Sequence, residues 1–146
     1  MKRFVATYPV RFGEIDHAGI MYYPSLFDRM HRAFEDFWPE TVGKTYPQVL
    51  DGDGVGFPLI DVHANFVQPF RFGDTMRVEI DVLRIGTRSL TFRLQLSAGD
   101  GSGPRATAEM VTGVIDMATF ESQPLPESYR KGLEPYLVPP EGSSDP

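Results

Sequence analysis

Between Phe4 and Phe12 every second residue is apolar or aromatic: Phe4, Ala6, Tyr8, Val10 and Phe12. That period of two predicts a strand with one covered face. Pro9 suits an edge or an end of a sheet, because proline cannot donate to a neighbouring strand. Glycines and acids then crowd together in Gly13-Glu14-Ile15-Asp16-His17-Ala18-Gly19, which reads as a loop. From Pro24 to Trp38 the period changes. Leu26, Phe27, Met30, Ala33, Phe34 and Phe37 recur at three and four residues, while Asp28, Arg29, Arg32, Glu35 and Asp36 take the other side. This predicts an amphipathic helix. Pro24 fits its first turn, where no N–H is needed, and Pro39 is expected to stop it after about four turns.

The stretch 39–58 is rich in Gly, Pro and Asp and reads as a connection, with one helical turn around 46–50. Its Asp51-Gly52-Asp53-Gly54-Val55-Gly56 run fails as a calcium loop, since Val55 and Val62 stand where oxygen ligands are required. Four more strands follow. Ile60, Val62, Ala64 and Phe66 alternate with polar residues, as do Met76, Val78, Ile80 and Val82, and then Leu90, Phe92, Leu94 and Leu96. Ala106, Ala108, Met110, Thr112 and Val114 make a weaker fourth pattern. Phe72-Gly73-Asp74, Gly86-Thr87-Arg88 and the run 98–104 supply turns between them. A short helix is expected over 126–137. The tail 138–146 has nothing to bury and is expected to be disordered. One domain over 1–137 results, of class α+β: a single long helix against an antiparallel sheet of five strands.

Composition removes whole classes of function. Fourteen basic against 20 acidic side chains give a net charge of −6, with no Lys/Arg block to meet a nucleic-acid backbone. Nucleic acid is therefore not an expected partner. Cysteine is absent, so thiolate catalysis and Cys-ligated zinc are excluded, and a reducing, cytoplasmic setting is expected. No apolar run approaches the ~20 residues of a membrane span or forms a signal peptide. His17, His31 and His63 are too scattered to suggest a metal site. No GxSxG, HExxH or P-loop pattern occurs.

The informative stretch is Arg11-Phe12-Gly13-Glu14-Ile15-Asp16-His17-Ala18-Gly19-Ile20-Met21-Tyr22-Tyr23-Pro24. It resembles the active-site loop of the 4-hydroxybenzoyl-CoA thioesterase family, whose members share the hotdog fold. The likeness continues through Gly56-Phe57-Pro58, Ala64-Asn65-Phe66, Phe72-Gly73-Asp74, Gly86-Thr87-Arg88-Ser89, Ala108-Glu109-Met110 and Leu125-Pro126. The chain departs from the family at Ile15, often Cys or Thr there, and at His17, often Pro or Ala. The resemblance implies a helix wrapped by the sheet, and hydrolysis of an aromatic or medium acyl-CoA thioester without a cofactor, coenzyme A being part of the substrate. It implies Asp16 as nucleophile or general base, with the Tyr23 backbone amide and Gly19 in the same catalytic loop. It also implies self-association as a homodimer or homotetramer with the site between protomers.

The residues themselves allow two readings of Asp16. It runs into a helix start, where unpaired N–H groups favour a carboxylate or a developing oxyanion, or it merely caps that helix. Glu14 is expected to hold the loop, and His17 to be solvated. Tyr22, Phe27 and His31 are candidates to line the acyl pocket, although a polar helix face accounts equally for His31. Asp61, His63 and Asn65 share one strand face and are expected at a subunit interface, one of them near the partner's Asp16. Arg84, Arg88 and Ser89 surround the turn that resembles the family's nucleotide-side loop, where guanidinium groups suit phosphate. The rival functions are a non-catalytic acyl-CoA sensor, which would not need Asp16, and a dehydratase, whose Asp/His loop is not found.

Overall fold

The computed structural model describes residues 1–139. Strand β1 (Phe4–Pro9) leads through the loop to helix α1 (Tyr23–Val42). After β2 (Val55–Gly56) come β3 (Leu59–Phe66), β4 (Thr75–Ile85), β5 (Ser89–Ala98) and β6 (Pro104–Gly113). The chain ends through β7 (Ile115–Asp116) and α2 (Glu127–Leu133). Five strands form one antiparallel sheet in the order β1-β4-β5-β6-β3, and β2 pairs with β7 in a separate ribbon. Among the described residues no helix is long and apolar enough to cross a membrane.

Helix α1 lies on one face of this sheet. Met30, Ala33, Phe34, Phe37 and Trp38 are buried, and Phe34 and Phe37 set their rings edge-on to Phe92 of β5 at 5.4 and 5.7 Å. Trp38 stacks on Phe57 at 4.5 Å. The sheet contributes Val78, Ile80 and Val82 from β4 and Leu90, Leu94 and Leu96 from β5, all at zero exposure, as their alternation predicts.

The structure corrects four expectations. First, α1 continues through Pro39 to Val42 and stops at Gly43, whose φ of 73° ends the helix. Pro39 removes one helical bond but is itself exposed, and the last turn is anchored by buried Phe37 and Trp38 and by a Thr41 hydroxyl bond to the Phe37 carbonyl at 2.9 Å. Second, β1 ends at Pro9, and Phe12 is 76% exposed in a tight turn. Third, β3 is poorly covered: Ile60, Val62 and Phe66 are exposed despite their alternation, and Ala64 alone is half-buried against the core. It is an edge strand that, among the described residues, pairs with β6 alone. Fourth, the tail begins later than expected, because Leu137 bridges to Val82 and the Val138 N–H donates to the Val82 carbonyl at 2.8 Å. The rest of that expected tail, 140–146, lies outside the described residues.

Candidate active site

The loop between β1 and α1 is fastened by its own backbone. Ile15 bridges to Met21, the Asp16 N–H donates to the Ile20 carbonyl at 2.9 Å, and the Gly19 N–H donates back to the Asp16 carbonyl at 3.0 Å. Gly19 holds a φ of 80°, which a side chain would strain. Met21 donates to the Phe70 carbonyl at 2.8 Å, tying the loop to the Phe72-Gly73-Asp74 turn. That turn is held by Asp74, which accepts from the Arg71 N–H and from Arg105.

Asp16 is partly buried. Its Oδ1 accepts from the Ala18 N–H at 2.8 Å and the Ile20 N–H at 3.5 Å. Among the described residues Oδ2 has no hydrogen-bond partner. The carboxylate does not cap α1: the residue before the helix is Tyr22, and no side chain caps it. That removes the helix cap as the reason for an acid here and leaves a turn-forming aspartate with one oxygen free.

Glu14 decides which amide at the helix start stays open. Its carbonyl takes the Tyr22 N–H at 2.8 Å, while its carboxylate accepts from the Arg11 N–H at 2.9 Å and pairs with the Arg29 guanidinium. Pro24 has no N–H, and Ser25 donates to the Tyr22 carbonyl at 2.9 Å. Among the described residues the Tyr23 N–H finds no acceptor. An open donor thus stands at the positive end of a 20-residue helix. Beside it lies an apolar cleft of about 280 Å³ lined by Ile20, Met21, Tyr23, Leu26, Phe66 and Val67. The Tyr22 and Tyr23 rings meet edge-on at 5.4 Å, and Phe27 packs against Phe66 at 5.8 Å next to the cleft.

The other candidates sit elsewhere. His31 lies on the polar side of α1, paired with Glu35 at 2.9 Å and lining a groove with Tyr8, Asp28 and Arg32 rather than the apolar cleft. His17 is exposed. Asp61, His63 and Asn65 pair with Val111, Glu109 and Thr107. They therefore stand on the sheet face away from α1, and Val62, Ala64 and Phe66 occupy the helix side. Arg84, Arg88 and Ser89 lie at the far end of β4, whose 11 residues span about 35 Å. Within one chain they do not meet Asp16. Arg88 Nη1 donates to the Ser122 carbonyl at 3.0 Å, and the Ser89 carbonyl closes the turn with the Gly86 N–H at 2.9 Å.

Charge alone places Arg29 on the polar side of the helix, yet it is 6% exposed. Its position carried the signal, three residues after Leu26 and four before Ala33, inside the apolar stripe. Its guanidinium also lies 5.1 Å from the Tyr8 ring centroid.

A helix cradled by a five-stranded antiparallel sheet, with an acid-bearing loop at the helix start, defines a hotdog domain. Residues 10–133 match the model of the Thioesterase-like superfamily, and the chain belongs to that family. The match is to this wider family rather than to its 4-hydroxybenzoyl-CoA branch. The chain is 28% identical over 138 residues to a 1,4-dihydroxy-2-naphthoyl-CoA hydrolase of Thermosynechococcus vestitus, covering 93% of this chain and 90% of that protein. Its fold superposes on the 1,4-dihydroxy-2-naphthoyl-CoA thioesterase of Synechocystis with a TM-score of 0.80 at 18% identity, covering 90% and 96% of the two chains. For a thioesterase-superfamily protein of Jannaschia sp. the TM-score is 0.87 at 23% identity, covering 93% and 94%.

Proposed function

We propose that the protein hydrolyses aryl-CoA thioesters to the free acid and coenzyme A. The observation that carries this reading is the unpaired Tyr23 amide at the start of α1, set beside an apolar cleft and seven residues after an aspartate with a free oxygen. The thioester carbonyl oxygen would accept from the Tyr23 N–H, which stabilises the charge that develops as the carbonyl is attacked. Asp16 Oδ2 either attacks that carbonyl or takes a proton from the attacking water. The C–S bond then breaks and the CoA thiolate leaves, taking up the proton that the attacking water gave to Asp16. In the nucleophilic route a water then hydrolyses the acyl–Asp16 anhydride, which frees the acid, restores the carboxylate and supplies that proton. No metal or redox group is needed for these steps. Relatives named for a bicyclic aryl-CoA, and the aromatic rings of Tyr22, Tyr23, Phe27 and Phe66 around the cleft, favour an aryl over a straight-chain acyl group.

The working unit is a two-fold dimer joined through the open edge of β3, because an exposed apolar edge strand invites a second strand. Two β3 strands paired antiparallel lie head to tail. The Leu59 end of one then meets the Phe66 end of the other, and the partner's Arg84–Ser89 turn comes to the end of the sheet that holds Asp16. Arg84 and Arg88 would meet CoA phosphates across that interface, and polar Asp61, His63 and Asn65 would lie along the seam.

The test is a panel of 1,4-dihydroxy-2-naphthoyl-, 4-hydroxybenzoyl-, phenylacetyl- and straight-chain acyl-CoA with free-thiol detection. Turnover of an aryl-CoA ahead of the straight chains is expected. Binding of every thioester without thiol release would instead establish a sensor.

A further inference from the structure

The turn after β7 carries a residue whose conformation and surroundings disagree. Phe120 has a φ of 60° and is the one non-glycine residue with positive φ among those described. The left-handed region disfavours any side chain with a Cβ, and bulky ones most. The turn itself needs no ring. The Phe120 N–H donates to the Asp116 carbonyl at 2.7 Å, Asp116 donates to the Glu121 carbonyl at 2.9 Å, and Asp116 Oδ1 accepts from Ala18's counterpart in this turn, the Ala118 N–H, at 2.8 Å. Glycine or asparagine would make the same bonds without strain. Burial does not explain the ring either, since Phe120 is 71% exposed. Both local forces oppose phenylalanine, which points to a ligand that the ring covers.

What stands nearby indicates the ligand. Two residues on, Ser122 holds Arg88 through its carbonyl at 3.0 Å and its hydroxyl at 3.5 Å. One bonded corner of the fold therefore presents both an exposed aromatic ring and a guanidinium. β7 pairs with β2, the short strand leading into β3, and the Gly113 N–H donates to the Pro58 carbonyl at 2.9 Å. The corner thus adjoins the β3 edge at its Leu59 end. In the head-to-tail dimer proposed above, that end faces the partner's Asp16 loop.

We propose that Phe120 stacks on the adenine base of coenzyme A bound at the partner's site, while Arg88 meets the nucleotide phosphates. This inference rests on the thioesterase reading and names which part of the substrate the corner recognises. A purine offers a planar face that stacks on an aromatic ring without any hydrogen bond. Its ribose carries phosphates a short reach away, where a cation is the complement. Glu121, next in sequence, adds negative charge beside the ring, which favours the uncharged base over a phosphate at that spot.

The test compares Phe120→Asn, which tolerates the left-handed turn, with Phe120→Trp, which retains a stacking face. Calorimetric titration with free CoA and with 4′-phosphopantetheine, which lacks the adenosine, is read alongside the KM for an aryl-CoA. Phe120→Asn is expected to weaken CoA binding and raise the aryl-CoA KM about tenfold. It should leave kcat, phosphopantetheine binding and oligomeric mass unchanged, with a thermal midpoint no lower than the parent's. Phe120→Trp should keep the parent's affinity. A merely structural phenylalanine would lose stability and spare CoA. Unchanged CoA affinity in Phe120→Asn, equal weakening toward phosphopantetheine, a parent that does not bind CoA, or a change of oligomeric mass each overturns the assignment. The CoA titration needs no turnover, so it decides this point even if the substrate panel refutes hydrolysis.

Discussion

Replacing Asp16 by asparagine separates the charge of this side chain from its place in the fold. Asp16 Oδ1 holds the turn through the Ala18 N–H at 2.8 Å and the Ile20 N–H at 3.5 Å, and an amide oxygen can accept both in the same geometry, though less strongly than a carboxylate. What asparagine removes is the second oxygen, Oδ2, with the negative charge and basicity it carries. Loss of a general base or nucleophile typically costs about a hundred- to ten-thousandfold in rate, which is about 3–5 kcal/mol of barrier. The Tyr23 amide is untouched and should still supply roughly 3 kcal/mol to the transition state, so residual turnover above the uncatalysed rate is expected. Thiol release from an aryl-CoA measures kcat and KM, and thermal denaturation of the same preparations measures stability. Asp16→Asn should lower kcat at least about a hundredfold with KM little changed and the midpoint held. Asp16→Ala should lose the same activity and, by dropping the turn bonds as well, about 1 kcal/mol of stability. A kcat for Asp16→Asn within a few-fold of the parent would mean that the aspartate only shapes the loop, and the mechanism proposed here would be wrong.

Arg29→Met leaves Glu14 without its cation in a largely buried site and should cost about 3 kcal/mol, lowering the thermal midpoint by roughly 10 °C; a change under about 2 °C would show that the pair does not anchor the loop. Arg88→Ala should raise the KM for an aryl-CoA about tenfold, the scale of a charge-assisted hydrogen bond, and spare kcat, because a phosphate contact is the same before and during the chemistry. An unchanged KM would remove the phosphate assignment. Light scattering at micromolar concentration should give at least twice the mass of one chain, and a stable single-chain species would end the shared-site model.

Where two local signals agree, the sequence pattern and the folded structure coincide. The helix start follows from Pro24 and the change of period together, and the strands at Met76–Val82 and Leu90–Leu96 are central, so their alternation coincides with real burial against α1. Signals failed where a residue answers to something its neighbours in sequence do not contain. Pro39 would end an isolated helix, but Trp38 beside it is held by Phe57 from 19 residues on and carries the helix past it. Arg29 looks like surface by its charge; its place in the apolar stripe becomes sensible only with Glu14, 15 residues earlier, close enough to pair. The resemblance, not the residues, named the Tyr23 amide beside Asp16, and the reason that amide stays open lies in a contact no local pattern announces, the Glu14 carbonyl taking the Tyr22 N–H. β3 is the instructive case. Alternation reports which residues of a strand share a face, but not what will lie against that face. In β4 and β5 the cover is α1, encoded in the same chain, so pattern and burial match. In β3 the same alternation leaves Ile60, Val62 and Phe66 largely exposed, since among the described residues α1 reaches only the Phe66 end, through Phe27. A strand patterned for burial but left largely open by the described residues of its own chain is the physical ground for expecting a second copy there, and with it a site that neither copy completes alone.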